Sequence, residues 1–368
     1  MSKFKICVYA ISKNEEKFVK RWYDSVKDAD EIYVLDTGST DNTVNLFKKL
    51  GVNVVEKKIE PWRFDVARNE SLKLVPDDTD ICICIDIDEV MSDGWREELE
   101  SIWNNDINHL RYNYNWNHDE DGKPLVNFYI EKIHSRNDFK WIHPVHEVLK
   151  FTGDKEIMYT TDKITVDHYA DKKKSRSSYL PLLELSVLEN PEDDRNMHYL
   201  GREYMFYGKW NDAIDTLIKH LSLKSATWAD ERCASMRFIA RCYKNLNRIE
   251  ESKMWLDKAI KEAPHLRDPL VERALLAYEE ENWDDVLYYS FKALEIKKHE
   301  KTYINESFSW DHTLYDLISL AYFYKKNYFE SLRYINLALE KSPNNERLKS
   351  NKQIIYEYYE NNKKNLHS

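Results

Sequence analysis

Short runs rich in Val and Ile alternate with helix-like stretches along the first half of the chain. The strand-like runs occupy residues 5–11, 31–35, 51–56 and 81–85. Apolar residues at helical spacing fill much of the chain between them, for example over residues 18–26. Strands that alternate with helices predict an α/β fold with a mostly parallel sheet, and such sheets bind ligands at the carboxyl ends of their strands.

Polar clusters follow three of these runs. Asn14 and Glu15 follow the first, residues 36–41 follow the second, and residues 86–89 follow the last. Because parallel strands end at the same edge of a sheet, the three clusters are expected to lie close together and to form one site.

Asp86 and Asp88 are two residues apart at the end of the run Ile81-Cys82-Ile83-Cys84-Ile85. In a strand this spacing places both carboxylates on the same face. Two such carboxylates repel each other unless a cation lies between them, and their oxygens suit Mg²⁺ or Mn²⁺. The pattern therefore predicts a metal site that would hold phosphates, and the alternative is a buried strand that ends in an acidic turn.

Four motifs carry a resemblance to a known family. They are SKNEE at 12–16, VLDTGSTDNT at 34–43, PWRFDVARNES at 61–71 and CIDIDEV at 84–90. In this order and spacing they resemble family 2 glycosyltransferases, which have the nucleotide-sugar-binding α/β fold called GT-A. The resemblance implies transfer of a sugar from a nucleoside-diphosphate donor, with inversion at the anomeric carbon and a divalent metal ion, Mn²⁺ or Mg²⁺.

The resemblance also implies roles for the nucleotide pocket. Asp36 matches the carboxylate that recognises the base, and Asn14, Glu15 and Thr37 would line the same pocket. A carboxylate that faces the imide N–H of a uracil forms a charge-assisted hydrogen bond, so a UDP-sugar is the expected donor. The alternative for Asp36 is a turn cap, a role that Asp often has.

Three further residues are assigned to the donor and its metal. The planar guanidinium of Arg68 suits a phosphate or ribose, with an ion pair to nearby Asp65 as the alternative. By resemblance, Asp86 would bind ribose or sugar hydroxyls and Asp88 would bind the metal. Glu89 is expected either to contact the residues that bind the donor and metal, without binding them itself, or to supply a negative charge where the next helix begins.

The acceptor side of the site is predicted around the run HPVHE. Glu147 occupies the place of the family's general base, which must reach the acceptor hydroxyl or other nucleophile. The alternative for Glu147 is a structural acid paired with His143 or His146. His168, at the end of a predicted strand, is the expected histidine ligand of the metal, and His146 is its rival. The basic residues 172–176 would be either a lid over the pyrophosphate or a solvated linker.

The second half of the chain has a helical pattern from residue 179 onward. Two pairs of small or apolar residues, Ser252 with Val286 and Ala259 with Ala293, are each 34 residues apart. This is the period of tetratricopeptide repeats. We therefore assign residues 1–175 to a GT-A domain and residues 176–368 to an all-α, tetratricopeptide-like helical-repeat domain. Its aromatic residues would bind the acceptor or form a homodimer, or would simply be the core of the repeats.

Composition narrows the function further. The 368 residues carry a formal net charge of −10, which argues against non-specific affinity for nucleic acid. No apolar run is long enough for a transmembrane segment, and the chain begins without the apolar region of a signal peptide. Five cysteines, two of them in a core strand, predict reduced thiols and a cytoplasmic location.

The predicted protein is a metal-dependent, inverting glycosyltransferase. Its acceptor is left open between a peptide side chain, a glycan and a modified base of phage DNA. The alternative from another class is an interaction protein, in which the repeats bind a partner and the transfer site is dormant. The complete polar clusters that follow the strands favour the enzyme.

Overall fold

The computed structural model describes residues 3–104, 106–118, 122–171 and 178–366. The chain forms two compact units. The first comprises Met1–Asn190 with Lys301–Tyr303, and the second comprises Pro191–Glu300 with Ile304–Ser368. The basic residues 172–176 proposed as a lid lie outside the described residues.

The first unit contains an eight-stranded sheet, a separate two-stranded hairpin and five helices among its described residues. In chain order these are β1 (Ile6–Ser12), α1 (Val19–Val26), β2 (Glu31–Asp36), α2 (Thr43–Lys49), β3 (Asn53–Glu56), α3 (Phe64–Leu72), β4 (Ile81–Cys84), β5 (Glu89–Met91), α4 (Trp95–Ile102), β6 (His109–His118), β7 (Pro124–Ser135), β8 (Phe139–Ile142), β9 (Val148–Phe151), β10 (Met158–His168) and α5 (Tyr179–Glu189).

The sheet is mixed. Its strand order is β3-β2-β1-β4-β7-β6-β10-β5, and the first four strands are parallel to one another. β7 pairs antiparallel with both β4 and β6, β6 and β10 are parallel, and β5 runs antiparallel to β10. The α/β GT-A prediction is confirmed, but the parallel part covers only half of the sheet. The long strands β6, β7 and β10 extend it beyond β4.

Burial on both faces explains the continuous apolar runs. Ile6, Val8 and Ala10 pack in the main core on one face of β1, and Cys7 and Tyr9 pack in a second core on the other face. A strand buried on both sides needs apolar residues at every position. Each Ile or Val buried in this way contributes about 1.5–3 kcal/mol relative to an exposed side chain.

A buried hydrogen-bond chain crosses the second core. The Trp141 indole N–H donates to the Tyr9 hydroxyl at 2.9 Å, and the Tyr9 hydroxyl lies 2.8 Å from Nε2 of His134. His134 Nδ1 donates to the Ser135 carbonyl at 2.7 Å, so Nε2 accepts the Tyr9 proton and the ring is neutral. Burial lowers the pKa of His134 to about 3.

Because His134 is buried in its neutral form, the protein should lose stability in acid. In the unfolded state His134 takes up a proton below its ordinary pKa of about 6.5, whereas in the folded state it does so only near pH 3. Stability due to His134 is therefore complete above about pH 6.5 and falls as the pH is lowered, by about 2 kcal/mol between neutral pH and pH 5. Urea unfolding at the two pH values should show this loss, and His134→Gln should reduce it. An equal pH dependence in wild type and variant would contradict the assignment.

The second unit is an array of packed helices. They are α6 (Asp194–Phe206), α7 (Trp210–Ser222), α8 (Ala229–Asn245), α9 (Ile249–Glu262), α10 (Asp268–Glu279), α11 (Trp283–Glu295), a short 3₁₀ helix (Ser307–Ser309), α12 (Thr313–Tyr324), α13 (Tyr328–Lys341) and α14 (Glu346–Leu366). Successive helices pack as pairs, α6 with α7, α8 with α9, α10 with α11 and α12 with α13. This is the helix-hairpin architecture of tetratricopeptide repeats.

The repeat spacing has a direct structural counterpart. Ala259 and Ala293 are fully buried in α9 and α11, where the absence of a long side chain lets neighbouring helices approach. The turns before these two helices place Asn247 and Glu281, also 34 residues apart, at φ of +58° and +57°. The predicted period therefore corresponds to one helix pair. No helix within the described residues has the length and apolar character needed to cross a membrane.

Candidate active site

The loops after β1 and β2 are tied together by the predicted base-pocket residues. Asn14, with φ of +57°, accepts the Thr40 backbone N–H at 2.8 Å. The Glu15 backbone N–H donates to Thr43 Oγ1 at 2.8 Å, and the Thr37 hydroxyl donates to the Ser12 carbonyl at 3.0 Å. The structure thus brings Asn14, Glu15 and Thr37 together at one sheet edge, and their contact with a base stays a prediction.

Asp36 has a structural role in this loop. One carboxylate oxygen accepts the backbone N–H groups of Gly38 and Ser39 at 3.0 and 2.8 Å. The other accepts the hydroxyls of Ser12 and Ser39 at 2.8 and 2.6 Å. These four bonds use the acceptor capacity of a carboxylate, and the side chain is buried. Asp36 therefore acts here as the turn cap that was its alternative, and its recognition of a base stays a prediction.

The prediction that Asp86 and Asp88 lie in a strand and point to the same face is wrong. β4 ends at Cys84, and the residues after it turn, with the Glu89 N–H donating to the Asp86 carbonyl at 2.9 Å. The Glu89 carboxylate also accepts the Asp86 N–H at 2.8 Å. Strand alternation therefore does not set the directions of Asp86 and Asp88, and each carboxylate has different neighbours.

Asp86 lies between two protein cations. Its Oδ1 is 2.8 Å from the Arg68 guanidinium, and its Oδ2 is 2.8 Å from Lys132 Nζ. Burial alone would raise the pKa of Asp86, but Arg68 and Lys132 outweigh burial and hold that pKa well below its usual range. The Asp86 carboxylate is therefore ionised, and its charge is balanced by the protein.

Each of the two cations also binds a second acid. Arg68 Nε donates to the Glu147 carboxylate. Lys132 Nζ lies 2.9 Å from Glu89, which also accepts the Tyr114 hydroxyl at 2.7 Å. Arg68 is thus a link between Asp86 and Glu147, not a partner of Asp65, whose oxygens bind Arg63. Glu147 contacts Arg68 in this network.

Asp88 and His168 form a separate pair. His168 Nε2 is 3.6 Å from Asp88 Oδ2, and His168 Nδ1 donates to the Trp116 carbonyl at 3.0 Å. The Trp116 ring stacks on the His168 ring at 4.5 Å between centroids. Burial lowers the pKa of His168, but the Asp88 carboxylate outweighs burial and raises the pKa above its ordinary value. The hydrogen bond to Trp116 fixes the tautomer in which the Nε2 lone pair of a neutral ring faces Asp88.

A carboxylate oxygen and an imidazole nitrogen with a fixed tautomer can each serve as a ligand of a divalent metal ion. The structure places His168 beside Asp88, and the binding of a metal ion by the two stays a prediction. The rival ligand His146 lies with its ring edge against Tyr179, 5.7 Å between centroids.

Lys132 is the main residue that the sequence analysis missed. It lies near the C-terminal end of β7, and only the pairing of β7 with β4 brings it to Asp86. One signal was present: alternation places Lys132 on the same face of β7 as His134, which is fully buried. A lysine on an inward-facing position needs an acidic partner.

Lys132→Met is expected to destabilise the protein. It leaves Asp86 and Glu89 with less compensation in a largely buried site, and breaking such a network costs about 3–5 kcal/mol. Lys163→Met is the matched control, because the Lys163 side chain is 75% exposed in its ion pair with Glu98. Chemical unfolding of both variants would test this, and equal stabilities would contradict a central role for Lys132.

Comparison with known proteins gives the family. The model described as glycosyl transferase family 2 matches residues 7–156. A glycosyltransferase of Rickettsia typhi is 35% identical over 260 residues, which cover 69% of this chain and 76% of that protein. The chain belongs to the family 2 glycosyltransferases. The assignment of the chain as an enzyme, a glycosyltransferase, is thereby confirmed.

Two further similar proteins match a smaller share of this chain. The glycosyltransferase SunS of Bacillus subtilis strain 168 is 26% identical over 228 residues, which cover 57% of this chain and 51% of SunS, so the match spans about half of that protein. The solved structure of YrrB, a tetratricopeptide-repeat protein, is 17% identical with a TM-score of 0.39, and the match covers 49% of this chain and 84% of YrrB.

Proposed function

We propose that the protein is an inverting, metal-dependent glycosyltransferase that uses a UDP-sugar. The observation that carries the proposal is the arrangement at the end of β4. There Asp88 lies with His168, next to a network in which Arg68 and Lys132 hold Asp86. A diphosphate needs both kinds of partner, a metal ion and fixed cations, to leave the sugar with its negative charge stabilised.

Asp88 and His168 would hold the metal ion. One carboxylate and one imidazole fit Mn²⁺ better than Mg²⁺, because Mg²⁺ prefers oxygen ligands and keeps its water. When bound, the ion would stabilise the charge of the departing diphosphate.

Arg68 would provide the switch between the donor-free and donor-bound states. In the structure its guanidinium is shared by Asp86 and Glu147. An incoming diphosphate offers the paired oxygens that a guanidinium binds best, so it would compete with Glu147 for Arg68. Asp86 would remain on Lys132 and bind the ribose or sugar hydroxyls. Donor binding would thereby release the Glu147 carboxylate.

The released Glu147 would be the general base. Its carboxylate would take the proton of the acceptor nucleophile as that atom attacks the anomeric carbon. A single displacement from the face opposite the diphosphate inverts the configuration. Asp36, Asn14, Glu15 and Thr37 would shape the pocket for the uracil base.

The acceptor would be a peptide side chain, a glycan or a modified DNA base. Exposed aromatic side chains on the helical repeats could contact an acceptor or a second copy of the chain. Tyr324, Phe329 and Tyr358 are each at least half exposed, at 54%, 62% and 50%. Five buried thiols without disulfides support a reducing compartment such as the cytoplasm.

The homodimer has a direct test. Phe329→Glu places a charge on the most exposed of these rings, so it should shift a dimer toward monomer in sedimentation experiments. Phe206→Glu is a matched control, because Phe206 is 58% exposed on a different helix. A wild-type protein that sediments as a monomer at all concentrations would exclude the dimer.

The donor is tested by thermal shift with UDP-, GDP- and dTDP-sugars, each with and without Mn²⁺. We expect stabilisation by UDP-sugars that depends on Mn²⁺, together with slow, Mn²⁺-dependent hydrolysis of the same donor. Stabilisation by GDP- or dTDP-sugars alone would exclude a UDP-sugar as the donor. Equal thermal shifts with and without Mn²⁺ would exclude metal-dependent donor binding.

A further inference from the structure

Three side chains that could bind a metal converge in the second unit, apart from any residue assigned to sugar transfer. Asp194 begins α6, His220 lies in the last turn of α7, and Glu231 lies in the first turn of α8. One ligand atom from each lies within 4.8 Å of the other two. We propose that these three residues bind a divalent transition-metal ion of the zinc class.

The state of His220 points to this ligand. Its side chain is fully buried, and none of the described residues forms a hydrogen bond with its Nε2. That nitrogen is 3.4 Å from Glu231 Oε1, so it faces the acidic group. Buried ring nitrogens in folded proteins are almost always paired, and a metal ion would provide the partner.

Ser235 can set the tautomer that such a ligand needs. Its hydroxyl lies 2.9 Å from His220 Nδ1 and 2.7 Å from His198 Nδ1. A hydroxyl has one proton, so it donates to one ring and accepts from the other. When it accepts the Nδ1–H of His220, the His220 Nε2 lone pair faces Glu231. Ser235 then has the role of the outer hydrogen-bond partner that orients a metal-bound histidine.

The donor set indicates the kind of ion. One imidazole nitrogen with two carboxylates suits Zn²⁺ and its first-row neighbours, whereas Mg²⁺ and Ca²⁺ prefer oxygen alone.

A bound ion would connect three consecutive helices at the beginning of the repeat array. α6 and α7 form the first helix pair of the second unit, and α8 begins the next. Terminal repeats lack a neighbour on one side and have fewer stabilising contacts than inner repeats. The ion would therefore stabilise the first repeats.

The test uses the full chain after treatment with a chelator. Calorimetric titration with Zn²⁺ and the visible spectrum with Co²⁺ would measure binding. We expect wild type to bind, His220→Leu to lose this site and Ser235→Ala to bind about 10–100-fold more weakly. Asp194→Asn keeps the shape of a half-buried residue and should also weaken binding, with unchanged circular dichroism showing that it is folded.

Asp88→Asn separates this site from the transfer site. It should remove any Co²⁺ bound beside His168 but keep the part of the Co²⁺ spectrum that His220→Leu removes, because Asp88 lies in the first unit and the His220 site in the second. Three results would overturn the proposal: no Zn²⁺ binding by wild type, unchanged binding in both His220→Leu and Asp194→Asn, or a sulfur-to-cobalt charge-transfer band that assigns the ion to cysteines. None of these results would affect the proposed sugar transfer.

Discussion

Asp88→Ala should reduce sugar transfer by about 1,000-fold and weaken Mn²⁺-dependent donor binding. The substitution removes the only oxygen ligand that we assign to the metal and leaves His168 without its acidic neighbour. Without the ion, Arg68 and Lys132 would have to stabilise the whole charge of the leaving diphosphate, and both already balance protein carboxylates. Initial rates with a UDP-sugar over a range of Mn²⁺ concentrations would measure the loss.

Asp93→Ala is the matched control, because Asp93 is exposed and only five residues further along the chain. It should leave transfer and metal dependence unchanged. His168→Gln should resemble Asp88→Ala in raising the Mn²⁺ concentration needed for activity, if the two side chains share one ion. An Asp88→Ala enzyme with the activity and metal response of wild type would refute the metal assignment.

The two acids of the Asp-x-Asp motif have different electrostatic roles. Asp86 is held by Arg68 and Lys132, so it orders two cations near the expected diphosphate. Asp88 is paired with a histidine whose other nitrogen is fixed by the Trp116 carbonyl. A metal ion next to Asp88 therefore need not compete with Arg68 or Lys132. The turn after Cys84 makes this division possible, because a continuous strand would point both carboxylates in one direction.

Local pattern predicted much of the fold. The apolar runs predicted β1, β2, β3 and β4, and the 34-residue spacing of Ala259 and Ala293 predicted repeated helix pairs. The mixed part of the sheet could not be predicted from local sequence patterns. β6 and β7 pair residues 6 to 25 positions apart, and β6 and β10 pair residues 49 to 52 positions apart. The order of strands in a sheet depends on such contacts between distant parts of the chain.

The candidate site, like the fold, could be predicted from the sequence only in part. Residues at or shortly after the ends of strands, such as Asp36 and Asp88, could be placed at the sheet edge from the sequence. The ion pair of Arg68 with Glu147 joins residues 79 positions apart, and the pair of Asp86 with Lys132 joins residues 46 apart. Both depend on where β7 and the loop between β8 and β9 lie in the folded unit. Motif reasoning named Arg68, Asp86 and Glu147 but could not show that they form one network.

Glu147→Gln should stop transfer and preserve donor binding. The amide oxygen of Gln can still accept the Arg68 hydrogen bond, so the geometry of the network is kept, but an amide cannot take the acceptor proton. Loss of a general base reduces the rate by about 10²–10⁴-fold. Donor affinity should be unchanged or higher, because a neutral side chain competes less strongly with a diphosphate for Arg68. Calorimetry with a UDP-sugar and Mn²⁺, beside transfer rates, would separate the two effects.

Glu189→Gln is the matched control. Glu189 also pairs with an arginine, Arg63, but its side chain is 45% exposed, and we assign it no catalytic role. The control should retain wild-type transfer and donor affinity. If Glu147→Gln loses donor binding together with transfer, then Glu147 positions Arg68 and is not the base. If it remains fully active, a different group takes the acceptor proton, and the exchange of Glu147 for a phosphate on Arg68 has no part in catalysis.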